Sequence, residues 1–399
     1  MAYWGFVDAI NGAAAPFLAR EFDLDDTGIA WASGWIALGA LGTFALARRA
    51  DRSGRRWTLL VTLIALSPLA LASAAAPTLV LFVIAQIPAQ AFRGVLTVVV
   101  PVMVAEHLPT ERRARGQGLV GLTGSLGAGT ALILVAACAD LPGTWRWAWA
   151  TAALGIFAVP FARRRLVESA RFERAAERGE ARAARSRDLL GPRYRARTIA
   201  GVAVSALFQF AITGAFGWVI YFPVRTLELA PLAVTTAVIA GGAVGLVGFT
   251  LGGRLCDVWG RRTTFAVSGI VYAFAAAAFF RVSADAAFSP VLWLGLAFAA
   301  MSGAGNAATV PLRASGTELF PTRLRGTFLG WAAIGAATAL VAVNFAVGAL
   351  ALWLGGIAPA ATVAGFAMLA AVAVFLAFLP ETTGLELEEA ALEEPADEG

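Results

Sequence analysis

Gly253–Arg262 reads GRLCDVWGRR, a short polar segment set between two long apolar runs. It has an echo in the first half of the chain, where Ala47–Arg56 reads ARRADRSGRR. Asp51, Gly54, Arg55 and Arg56 match Asp257, Gly260, Arg261 and Arg262. A loop of this chemistry, present once per half, predicts two similar bundles joined in tandem. The flanking runs decide what kind of bundle. Hydrophobic residues make up 59% of the chain, charged residues only 14%, and mean hydropathy is +0.74, far outside an ordinary soluble domain. A polytopic membrane protein is the class that fits.

A helix needs about 20 apolar residues to cross a bilayer core, and the sequence holds twelve such runs. The expected fold is an all-α membrane protein with twelve transmembrane helices in two six-helix bundles. With the N-terminus in the cytoplasm, the cytoplasmic loops take all 31 positive residues except Arg20, Arg146, Arg225 and Arg281 outside and Arg93 within a span. The positive-inside rule therefore puts both termini in the cytoplasm of a cell-membrane protein. The same count divides the chain into a bundle over 1–162, an Arg-rich cytoplasmic linker over 163–197, a second bundle over 198–380 and an acidic tail over 381–399. The linker fits an amphipathic surface helix or a solvated connector, and the tail after Pro380 is expected to be disordered. All 31 positive residues are Arg, and they sit between apolar runs, so they read as topology determinants and nucleic acid is excluded as a partner. Cys138 and Cys256 imply neither a disulfide framework nor a metal site. The N-terminal run shows no cleavable signal and reads as a first span. Gly- and Ala-rich stretches such as GLTGSLGAG (121–129) and AGGAVGLVG (240–248) signal close helix packing.

A second repeated signal follows the fourth and tenth spans, AEHLPTERRARG (105–116) and TELFPTRLRG (317–326). Glu106, Pro109, Thr110, Arg115 and Gly116 correspond to Glu318, Pro321, Thr322, Arg325 and Gly326. With the Asp–Gly–Arg–Arg loops, this resembles the major facilitator superfamily, in its sugar-porter and metabolite-transporter branch. LVESARF (166–172) is similar to the sugar porters' PESPRWL, and PETTGLELEE (380–389) to their PETKG…LEE ending. The chain departs from the family pattern at Ala47, where a Gly is usual, and at Gln86, where an Arg commonly opens the fourth span. The sugar porters' seventh-span glutamine pair survives only as Gln209. The resemblance implies a cytoplasmic charge network that latches the halves, here Asp51, Arg55, Arg56, Glu106 and Arg115 with Asp257, Arg261, Arg262, Glu318 and Arg325, joined by Glu168 and Arg171. Bidentate Arg–carboxylate pairs made in one state and broken in the other bias the equilibrium between states.

Polar residues within spans are costly and usually face a cavity. The family's cavity-lining spans are the first, fourth, seventh and tenth, and polar stripes occur on all four. Gln86, Gln90, Arg93 and Thr97 share one helical face in the fourth; Ser302, Asn306, Thr309 and Arg313 repeat that spacing in the tenth. The first span offers Trp4, Asp8 and Asn11, and the seventh Ser205, Gln209, Thr213 and Phe216. At about 1.5 Å per residue, Asp8 and Arg93 are the two ionisable residues near the midplane. Desolvation disfavours a charged carboxylate and a neighbouring Arg favours it, so Asp8 beside Arg93 suits a proton carrier. The bland alternative is a static ion pair that positions two helices. Expected substrate contacts are Asn11, Gln86, Gln90, Arg93, Thr97, Gln209, Thr213, Asn306 and Thr309. His107 reads as solvated, Trp145, Arg146 and Trp147 as interface anchors, and Phe216, Trp218 and Tyr221 as packing or stacking residues.

The sequence thus predicts a monomeric secondary transporter of a small organic solute, coupled to protons by Asp8, with no cofactor beyond a proton gradient. Arg93 tilts the substrate toward an organic anion, with a sugar or polyol next. Drug efflux is weakened because the fifth span, GLTGSLGAG, lacks a Gly-Pro pair. A transport-inactive membrane sensor or scaffold is the alternative from another class. No nucleophile–base pair or metal cluster points to an enzyme.

Overall fold

The computed structural model describes residues 1–168, 189–283 and 289–384, the side chains of 51–53, 105, 110, 111, 113, 114, 117, 322 and 323 excepted. Arg171, most of the expected linker and the tail beyond Gly384 lie outside the described residues. The fold is helical, with no strand among the described residues.

The first crossing is α1 (Ala2–Glu21), and the second is broken at Leu38 into α2 (Asp26–Ala37) and α3 (Gly39–Ser53). Three unbroken helices follow, α4 (Arg55–Ala74), α5 (Leu79–His107) and α6 (Thr110–Ala137). The sixth crossing comes in three pieces: α7 (Thr144–Ala152), a 3-10 turn (Ala153–Phe157) and α8 (Ala158–Arg165). The seventh is α9 (Arg195–Phe216). The helix α10 (Pro231–Gly245) breaks at Leu246 and continues as α11 (Val247–Phe280), which turns at Gly260 and so completes the eighth crossing and makes the ninth. The last three are α12 (Pro290–Glu318), α13 (Thr322–Leu354) and α14 (Ile357–Phe378). Nine stretches among the described residues have the length and apolarity to cross a bilayer unaided. The turn inside α11, the polar-flecked α1 and the segmented sixth crossing account for the difference from twelve. The chain divides into two compact units, Met1–Arg182 with Pro223–Thr235 (unit 1) and Ala183–Phe222 with Thr236–Gly399 (unit 2).

Inside each unit the small-residue stretches work as close-approach surfaces. A Cβ on Gly5 of α1 would run into the Gly124 carbonyl of α6, and one on Gly127 into the Ala2 carbonyl. Gly245, Gly248 and Gly252 sit in the same way against Ser302, Gly303 and Ala307 of α12. Lipid gives apolar helices no reason to associate, so dispersion across such backbone contacts supplies the attraction.

At one end of unit 1, a polar cluster ties three helices together. Arg146 of α7 donates to both Glu21 Oε1 (2.6 Å from Nη2) and the carbonyls of Ala74 (2.9 Å) and Ala76 (2.7 Å), which the end of α4 leaves without helical partners. Trp145 donates to Glu21 Oε2 at 2.5 Å, and the guanidinium lies 4.2 Å from the centroid of its ring. Trp145 is 1% exposed and Trp147 60% exposed. The expected pair of interface anchors therefore separates into one core residue and one surface residue, because Glu21 and Phe82 enclose Trp145.

The other end of unit 1 holds its copy of the repeated turn, and unit 2 holds the second copy. Gly54 (φ +96°, ψ +146°) and Gly260 (φ +85°, ψ +169°) occupy a region open essentially only to glycine. Each glycine is followed by a fresh helix start, whose N–H groups need acceptors. In unit 1, Glu168 accepts from Arg56 N at 3.0 Å, Arg56 Nη2 donates to the Arg163 carbonyl at 3.0 Å, and Arg55 pairs with Glu106. In unit 2, Glu381 accepts from Arg261 N at 2.9 Å and Arg262 N at 3.0 Å, while the Arg261 guanidinium pairs with Glu318 at 3.0 Å. The Thr382 hydroxyl donates to Glu318, and Arg261 Nη1 donates to the Thr383 hydroxyl at 3.1 Å. The disorder expected after Pro380 therefore does not begin there: Glu381–Gly384 fold against the second turn, where two helix N–H groups and a guanidinium demand a carboxylate. Arg262 reaches the Leu376 carbonyl. Asp257 and Arg115 are exposed, and Arg325 donates to the carbonyl of Phe320 in the loop before its own helix (3.4 Å). The side chain of Asp51 lies outside the described residues.

Burial alone pushes the Glu381 carboxyl up, but the Arg262 N–H, the Thr383 hydroxyl and the Arg261 N–H outweigh it and hold the group at about 2, against an ordinary 4.5. A depressed value means that the carboxylate stabilises the fold fully above the ordinary value and loses that contribution as pH falls toward the folded one. The gap in melting temperature between the parent and Glu381→Gln is expected to be full above pH 4.5 and to shrink as pH drops toward 2; a gap independent of pH in scanning fluorimetry contradicts this. Gly260→Ala is expected to lose about 1–3 kcal/mol from backbone strain, since its Cβ would also lie 2.7 Å from Glu381 Oε2. Unchanged denaturation would argue against the turn.

Candidate functional site

Among the described residues of unit 1, Arg93 is the charged side chain that is buried, at 1% exposed. Gln86, Gln90 and Arg93 stand one and two turns apart on α5, so their side chains meet on one face. Arg93 Nη1 donates to Gln86 Oε1 at 2.9 Å, and Nη2 donates to Gln90 Oε1. From α1, the Asn11 amide, with its oxygen turned toward the guanidinium, accepts from Nη2 at 2.8 Å and Nη1 at 3.3 Å. Gln86 is itself held, because its Nε2 donates to Ser73 Oγ of α4 at 2.8 Å and Ser73 donates on to the Leu69 carbonyl at 2.8 Å. Three helices therefore converge on one charge. Placing an unpartnered guanidinium in such surroundings costs several kcal/mol, and three neutral amide oxygens offset that without neutralising it.

Asp8 supplies the countercharge in a different manner. Its Oδ1 lies 3.7 Å from Arg93 Nε, beyond hydrogen-bond reach, and that Nε has no bonded partner. Arg93 is 1% exposed while the Asp8 side chain is 49% exposed. The pair is thus asymmetric: the arginine is fixed by amides, and the carboxylate stands beside it with its oxygens open to exchange. Thr97, a turn further along α5, is exposed and bonds the Gly94 carbonyl at 2.7 Å.

In unit 2 the predicted residues do not converge in one cluster. On α9, Gln209 Nε2 donates to Thr213 Oγ1 at 2.7 Å. On α12, Thr309 bonds the Gly305 carbonyl at 2.9 Å. Asn306 Nδ2 donates at 2.9 Å to the Gly245 carbonyl, where the α10–α11 break interrupts the helical ladder. Asn306 thereby satisfies a carbonyl at the helix break, a task the sequence did not suggest. Phe216 stacks 6.2 Å from Tyr272, and Trp218 and Tyr221 are buried, so this aromatic group is packing. No group of three metal-ligating residues occurs among the described residues.

Two contributors escaped the sequence. Ser73 is one of many small polar residues in apolar runs, and nothing in the pattern singled it out. Glu381 had a signal: Glu168 and Glu381 each follow the last crossing of a unit, in LVES and LPET, and each takes an N–H from the turn.

Among curated proteins no relative matches the sequence. Solved structures do match the fold. The xylose transporter XylE from E. coli, in an inward open conformation, aligns with TM-score 0.77 over 98% of this chain and 97% of its own at 18% identity. A D-xylose-proton symporter aligns with TM-score 0.72 over 96% of both chains at 19% identity. The profile of the Major Facilitator Superfamily matches residues 2–334. With twelve crossings and the repeated Gly–Arg–Arg turn, the chain belongs to the major facilitator superfamily, whose members are transporters rather than enzymes.

Proposed function

We propose that the chain is a proton-coupled symporter that moves a sugar or polyol by alternating access, with Asp8 as the proton carrier. The observation that carries this is the asymmetric Asp8–Arg93 pair. A carboxylate that itself held the arginine would disturb the site each time it took a proton. Here Gln86, Gln90 and Asn11 keep the guanidinium in place in either state of Asp8. Deprotonated Asp8 faces the guanidinium as its countercharge; protonated Asp8 is neutral and can donate a hydroxyl hydrogen bond to substrate.

A neutral substrate fits better than the organic anion first expected. An anion-binding arginine needs exposed donors, whereas Arg93 is almost fully buried and both its Nη atoms already serve amides. The similar solved proteins named for xylose favour the same class. Gln90, Asn11, Thr97, Gln209, Thr213 and Thr309 remain the proposed substrate contacts, while Gln86, fully buried and bonded at both ends of its amide, is proposed as a positioning residue. The turns built on Arg55–Glu106 and Arg261–Glu318 act as gating latches, on the cytoplasmic side of a cell membrane with both termini inside. Bundles over 1–162 and 198–380, joined by the linker 163–197, are the moving bodies.

Asp8→Asn in proteoliposomes is expected to abolish sugar accumulation driven by a pH gradient and to leave counterflow exchange measurable. Accumulation at the parent level rejects Asp8 as the carrier. Gln86→Leu leaves a buried charged donor unsatisfied, which costs about 1–3 kcal/mol, and it is expected to lower the melting temperature and shift the pH profile of uptake. A stability loss with an unmoved pH profile would reduce Gln86 to a packing role.

A further inference from the structure

Between α4 and α5, at the end of unit 1 away from the Gly54 turn, the surface opens into a groove of about 440 Å³. Leu69, Ala72 and Ala75 line it from α4, and Leu81, Ile84 and Pro88 from α5. Ala72, Ala75 and Ala76 leave the space open on one side, Pro77 lies at the turn between the two helices, and Pro88 stands within the facing helix. Both walls are membrane-crossing helices. A space with so little polar lining gives water nothing to bond, and within a bilayer the available filler is hydrocarbon.

The rim adds charge. The Arg146 guanidinium bonds the Ala74 and Ala76 carbonyls directly beside the groove, and its other edge bonds Glu21. Those contacts leave one Nη2 hydrogen over, and both side chains are partly exposed. An adjacent cation and anion complement a headgroup that carries a phosphate and an ammonium. We propose that this groove binds one acyl chain of a zwitterionic phospholipid, whose phosphate meets Arg146 and whose ammonium meets Glu21. The site has a consequence for the interior, since Ser73 and Gln86 stand in the same two turns of α4 and α5 as the lining residues. A seated chain keeps water from the hydrogen bonds that hold Arg93. The site rests on the groove and its rim alone, so it stands or falls apart from the transport reaction.

The test uses the full chain in nanodiscs of phosphatidylethanolamine doped with the same lipid carrying a photoactivatable group on one acyl chain. Cross-linked peptides are then mapped by mass spectrometry. Label is expected to concentrate in residues 69–88 of the parent. Ala72→Leu with Ala75→Leu fills the groove from two exposed positions and is expected to reduce that labelling several-fold, whereas Ala333→Leu, exposed on α13, leaves it unchanged. The same reactive chain on phosphatidylglycerol, in a phosphatidylglycerol disc, is expected to label the segment several-fold less. Labelling spread evenly over the lipid-facing helices, or unaffected by the groove-filling pair, overturns the acyl-chain site. Equal labelling from both headgroups overturns the zwitterionic assignment. Melting temperatures of the variants confirm folding, and the single Ala75→Leu replaces the pair if that fails to fold.

Discussion

The structure of unit 1 is arranged around one buried guanidinium. A cation within a membrane-crossing bundle is expensive and persists only where its donors are met. Arg93 meets that condition with three amides from two helices, and a third helix holds one of those amides through Ser73. The amides satisfy geometry while leaving the positive charge intact, and the field of that charge falls on Asp8 at 3.7 Å. The close seat of α1 on α6 and of α5 beside α3 follows from small residues at the contacts. Gly39, for example, has no room for a Cβ against the Ile87 carbonyl and Gln90. Packing therefore fixes where the charge is, and the charge fixes what the carboxylate beside it can do.

The two Gly–Arg–Arg turns show the same economy of parts in duplicate. Each needs a glycine to reverse direction, a carboxylate to receive the N–H groups of the new helix, and an arginine paired to the glutamate at the end of the next crossing. In unit 1 those are Gly54, Glu168 and the pair Arg55–Glu106; in unit 2, Gly260, Glu381 and the pair Arg261–Glu318. The bonds are of a kind that a change of conformation can exchange for others, which is what a latch requires. Glu381 takes the N–H groups of both Arg261 and Arg262, and Glu168 takes that of Arg56.

Much of this was legible in the sequence. Apolar run lengths and the repeated loops gave twelve crossings in two bundles, helical spacing put Gln86, Gln90, Arg93 and Thr97 on a common face, and depth within the spans paired Asp8 with Arg93. Periodicity identifies a face but not what the face meets. Gln86 and Gln90 looked equivalent, yet Gln86 points into the contact with α4 and bonds Ser73. Asn306 looked like a cavity residue, whereas the break at Leu246 offers it a freed carbonyl that no residue pattern announces. Trp145 and Trp147 flank one arginine, and only the tertiary position of Glu21 decides which of them is enclosed.

The central claim is that Asp8 changes protonation beside an arginine that does not move. Infrared titration of the membrane-reconstituted protein with isotope-labelled aspartate reads that change directly, as the protonated carboxyl band that disappears in Asp8→Asn. The expected result is a band that grows and fades over the pH range where uptake depends on protons, with the guanidinium modes of Arg93 unshifted. A carboxyl that stays in one state throughout that range, or arginine modes that shift with it, would contradict the account.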